Sequence, residues 1–82
     1  MTIEELVNLV YTVMPYHDQI QNMDFTSDTD SIEFDWRGSR LRITASPVIS
    51  VYEIKGDMRE GSNLCIILRT LLNRTKLERE MS

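Results

Sequence analysis

The chain has 82 residues, 41% hydrophobic and 27% charged, with a formal net charge of −4 and a pI near 4.8. That length holds one domain with one modest core, and the composition excludes a chain that is disordered throughout. No apolar run approaches the roughly 18 residues that cross a bilayer, and so low a pI is contrary to general polyanion binding.

The charge is unevenly spread. The first 36 residues contain eight acids and no Lys or Arg, a sum of −8. From Arg37 onward nine bases stand against five acids, a sum of +4. Such asymmetry bears on partners and solubility rather than on fold.

The opening MTIEELVNLV has no basic residue ahead of its apolar positions, unlike a secretory leader. Thr2 and Glu5 stand at the spacing of a capping box, with Glu4 and Glu5 in the first turn where the helix dipole favours acids. Ile3, Leu6, Val7, Val10, Val13 and Met14 recur at helical spacing, and Pro15 stops the run. This predicts a helix over 3–14. A short turn between His17 and Met23 is compatible with the sequence, and the polar stretch from Asp24 to Ser31 reads as a loop.

Residues 32–36, IEFDW, alternate apolar with acidic, and 40–45, RLRITA, alternate basic or polar with apolar. Arg37-Gly38 between them suits a two-residue turn. That turn sets Asp35 opposite Arg40, Phe34 opposite Leu41, Glu33 opposite Arg42 and Ile32 opposite Ile43. Unlike charges then meet on one face and apolar side chains on the other, whereas a one-residue slip would put polar groups on the apolar face. A third strand is expected over 48–54, VISVYEI, with Val48, Tyr52 and Ile54 on one side and Ile49 and Val51 on the other. Because both of its faces are apolar, Tyr52 or Ile49 is expected at the surface. The last element, from near Asp57 or Ser62, carries Leu64, Ile67, Leu68, Leu71, Leu72 and Thr75 at helical spacing. Arg69, Arg74, Lys76 and Arg79 crowd its second half, and the tail from about 77 is expected to fray.

The expected architecture is a single α+β domain over 1–82, in the order α-β-β-β-α. A three-stranded antiparallel meander carries two helices on one face and a wet charge ladder on the other.

The stretch DFTSDTDSIEFDW, 24–36, invites a calcium reading, but it lacks the glycine and the terminal glutamate of an EF-hand loop. His17 is the only histidine and Cys65 the only cysteine, so neither a metal set nor a disulfide follows. With no leader, the lone thiol points to a reducing, cytoplasmic setting. Glycines 38, 56 and 61 form no phosphate loop. No catalytic residue, metal or cofactor is expected, and the chain reads as a non-catalytic binding protein.

At the level of size, acidity and element order, the chain resembles small inhibitor proteins of bacteriophages and mobile elements, anti-CRISPR proteins among them. The resemblance implies docking on a basic, nucleic-acid-binding surface of a larger protein. Asp24, Asp28 and Asp30 are the expected contacts, with Glu33 and Asp35 in support. A second reading is self-association through the third expected strand, at Tyr52, or through the last helix. A third is nucleic-acid binding by Arg69, Arg74, Lys76 and Arg79, weighed down by the interleaved Glu78 and Glu80.

Overall fold

A computed structural model describes residues 2–26, 30–45, 48–56 and 58–81, with the backbone alone over 58–64. Helix α1 spans Ile3–Val13. Extended Thr2 caps it, its Oγ1 accepting from the Glu5 N–H at 3.1 Å. Met14 closes it, its N–H donating to the Val10 carbonyl, and Pro15 prevents continuation. Leu6, Leu9, Val10 and Met14 are buried, with Ile3, Val7 and Val13 half-buried beside them. Leu9, which falls between the positions of the expected stripe, is fully buried all the same.

A 3-10 turn over His17–Gln19 leads into four strands: β1 Gln21–Thr26, β2 Ser31–Trp36, β3 Ser39–Thr44 and β4 Ser50–Lys55. They form one antiparallel sheet in sequence order. The expected three strands are therefore four, and Asp24, expected in a loop, lies within β1. Two features hide β1 from pattern reading. Most of its side chains are exposed, so it lacks apolar alternation. Asn22, at φ 54°, also breaks the register between Gln21 and Asp24.

The β2–β3 hairpin has the pairing its sequence dictates: Asp35 with Arg40, Phe34 with Leu41, Glu33 with Arg42, and Ile32 with Ile43. Arg37 and Gly38 both have positive φ, 50° and 84°, as a type I′ turn requires.

Helix α2 spans Met58–Met81 and lies with α1 on one face of the sheet. The core is formed by Leu6, Leu9 and Val10, by Ile32, Phe34 and Trp36, by Leu41 and Ile43, by Ile49 and Val51, and by Leu68 and Leu72. Each large side chain buried there contributes about 1.5–3 kcal/mol of transfer free energy. Of the apolar stripe expected on α2, Leu68 and Leu72 are buried, but Ile67 and Leu71 are exposed, and the Leu64 side chain lies outside the described residues. The stripe is wider than the surface available to cover it.

Candidate functional site

Neither helix covers the second face of the sheet, and strand register organises it into rows. One row runs Asp24, Glu33, Arg42, Tyr52 across all four strands; the next runs Gln21, Asp35, Arg40, Lys55. Four of the six residues expected to bind, Asp24, Glu33, Asp35 and Tyr52, thus share one surface. Asp30 stands apart, exposed in the turn before β2 at φ 48°, its carbonyl accepting from the Ala45 N–H. Asp28 lies outside the described residues.

Arg40 is the centre of the acidic cluster. Its guanidinium lies 2.6 Å from Asp24, 3.1 Å from Asp35 and 3.4 Å from Glu33, and its Nη1 donates to the Asn22 carbonyl. Arg42 holds the other oxygen of Glu33 at 2.9 Å. Asp24 has no cation near it in sequence, and the sheet register pairs it with Arg40, 16 residues on. The irregularity at Asn22 turns its side chain onto the same face as Glu33.

These contacts order the electrostatics. A hydrogen bond from Arg42, aided by Arg40, holds Glu33 below the usual carboxylate range against the opposing effect of burial. A hydrogen bond from Asn22, then one from Arg40, lowers Asp35. Asp35 in turn is the main reason that Arg40 lies above the usual arginine range.

The expected split of β4 into two sides is present. Val48, Tyr52 and Ile54 are exposed, whereas Ile49 and Val51 are buried. The expectation that Ile49 could be a surface contact fails, because Ile49 faces the core and is clamped by α2. Its N–H and carbonyl bond the two ends of the Asn73 amide.

Glu53 points to the helix side of the sheet, level with Leu41 and Phe34. Both of its carboxylate oxygens are buried and have no hydrogen-bond partner among the described residues. Cys65 is half-buried against the core, and burial, then the charge of Glu53, pushes its thiol up and away from the reactive thiolate.

On the basic helix, Arg74 pairs with Glu78 and Lys76 with Glu80, while Arg79 reaches Thr12 of α1. Among the described residues no group of three or more His, Cys, Asp or Glu is placed to hold a metal ion, and no helix is long and apolar enough to cross a membrane.

No protein-family model, no curated protein and no solved structure matches the chain.

Proposed function

We propose that the protein is a small, acidic, non-catalytic binding module, whose uncovered sheet face docks on a basic surface of a larger protein and blocks it. The observation that carries this reading is the row Asp24, Glu33, Arg42, Tyr52 on a face that neither helix covers. Three acids and two arginines form a pre-paired charge pattern, and an exposed tyrosine lies at its edge. Tyrosines of this kind anchor interfaces, while charge patterns set approach and orientation. The net charge of −4 favours a basic partner, such as a nucleic-acid-handling protein, while the paired rows on the face set orientation. Inhibition of the kind exerted by small phage and mobile-element proteins is the mode of action we infer.

The test is affinity capture from a bacterial lysate with three baits, wild type, Asp30→Lys and Tyr52→Ala, with captured proteins quantified and rebound in purified form. The reading requires a basic protein held by wild type and lost with Tyr52→Ala. Identical capture by all three baits would remove it.

The free edge of β4 supports a second reading, self-association. Tyr52 and Ile54 are exposed along that strand, Val48 just before it, and Ile66 on α2 is exposed as well. Sedimentation of wild type and Tyr52→Glu across a range of concentrations separates the two: a dimer that the substitution dissolves favours self-association.

A further inference from the structure

At the opposite end of the β2–β3 hairpin from its open ends, two exposed residues are stacked on each other. The Arg37 guanidinium carbon lies 4.3 Å from the centre of the Tyr16 ring and 5.7 Å from that of Trp36. Both members of the stack hold backbone conformations that bulky L-residues seldom adopt, Tyr16 at φ 52° and Arg37 at φ 50°. A turn with positive φ at this position prefers asparagine or glycine, so local propensity does not explain arginine here. Trp36 fixes the platform from beneath: it is buried, and its indole N–H donates to the carbonyls of Pro15 at 3.0 Å and Tyr16 at 3.3 Å. The segment before β1 and the hairpin turn are thereby locked together.

The stack occupies one face of the guanidinium, and the edge of N–H donors meets no side-chain acceptor among the described residues. Arg37 makes no ion pair and no hydrogen bond among the described residues. Arg40 and Arg42, on the adjoining strand, are by contrast ion-paired, Arg40 with three carboxylates and Arg42 with one. A planar fork held on an aromatic ring is preorganised for a two-oxygen anion, because stacking removes the rotamer freedom that binding would otherwise have to remove.

We propose that Arg37, held on Tyr16, is the recognition point for a single Asp or Glu carboxylate on the partner protein. The charge of the chain selects a carboxylate over a phosphate or a run of anions. The chain carries a net charge of −4, which disfavours polyanions but tolerates one carboxylate set among basic residues. The inference takes from the preceding reading only that the partner is a protein with a basic surface. It uses the hairpin tip and not the uncovered face, so either can fail alone.

The test is an NMR titration of the whole protein with three capped peptides: one glutamate between two lysines, the same peptide with glutamine, and the same with phosphoserine. The glutamate peptide should shift the Arg37 Nε–Hε and Tyr16 ring resonances saturably, and the glutamine twin should not. Arg37→Lys, which keeps the charge but loses the fork, should weaken binding about tenfold or more. Arg37→Asn, which suits the turn and preserves the fold, should abolish it. Equal shifts with the glutamine peptide, equal shifts at exposed Arg69, or unchanged binding by Arg37→Lys would overturn the proposal. A stronger response to phosphoserine would overturn the choice of carboxylate.

Discussion

Asn73 and Ile49 are joined by two hydrogen bonds. The Ile49 N–H donates to Asn73 Oδ1 at 3.1 Å, and Asn73 Nδ2 donates to the Ile49 carbonyl at 2.8 Å. The amide of α2 thus stands where another strand's backbone would stand, at the entry to edge strand β4. It also donates to the Arg69 carbonyl of its own helix, which fixes its rotamer. Removing the amide leaves two backbone groups of a buried residue without partners. Asn73→Ala should cost about 1–3 kcal/mol. Hydrogen exchange should quicken at Ile49 and along β4 before it does in β2.

The two sides of β4 should respond in opposite ways to charge. Ile49→Glu places an unpaired carboxylate in the core and should prevent folding or cost more than about 3 kcal/mol. Tyr52→Glu lies in solvent and should change stability by no more than about 0.5 kcal/mol. Thermal melts of the two variants check this, and a folded Ile49→Glu would contradict the orientation of β4.

Glu53 should be worth less to the fold than an apolar residue of its size. Among the described residues its buried oxygens have no hydrogen-bond partner, so their desolvation is met there by no compensating bond. Glu53→Met should stabilise the protein by about 1–3 kcal/mol in urea unfolding at neutral pH. A loss of stability would show that the carboxylate has a partner in solution.

The turn after β4 should not accept a side chain at position 56. Gly56 has φ 143°, and a Cβ there would come within 2.5 Å of Ser39 Oγ and 2.9 Å of Ser39 Cβ. Gly56→Ala should therefore destabilise by more than about 1 kcal/mol, through backbone strain and a displaced β3. Gly38→Ala, where space is open, bears the strain alone and should cost less. Urea unfolding of both variants ranks them.

Acid should loosen the uncovered face. The folded-state pKa values of Glu33 and Asp35 are lowered, so their contribution is present above the unfolded values and is lost as pH falls through the folded ones. Melting temperature should fall through the acid range below about pH 5, and Glu33→Gln should flatten that fall. An equally steep fall in the variant would assign the acid sensitivity elsewhere.

The β2–β3 hairpin was legible because everything that specifies it is close in sequence. A two-residue turn and alternation of period two leave one register in which Glu33 meets Arg42 and Phe34 meets Leu41. Helix α1 was legible for the same reason, since its cap at Thr2 and its stop at Pro15 are local signals. Strand β1 was not, because an edge strand with exposed side chains and a bulge at Asn22 carries no alternation to read.

Sequence alone therefore determined the elements whose partners lie within a turn or a hairpin, along with the acidic and basic halves of the chain. Tertiary structure decided what depends on distant segments meeting. It brought Asp24 to Arg40 across 16 residues, Trp36 to Pro15 across 21 and Asn73 to Ile49 across 24. It also chose Leu68 and Leu72 over Ile67 and Leu71 as the buried side of α2. The physical reason is that side-chain period and turn chemistry fix neighbours in sequence. Which surfaces meet is fixed by how α1, α2 and the sheet share one core.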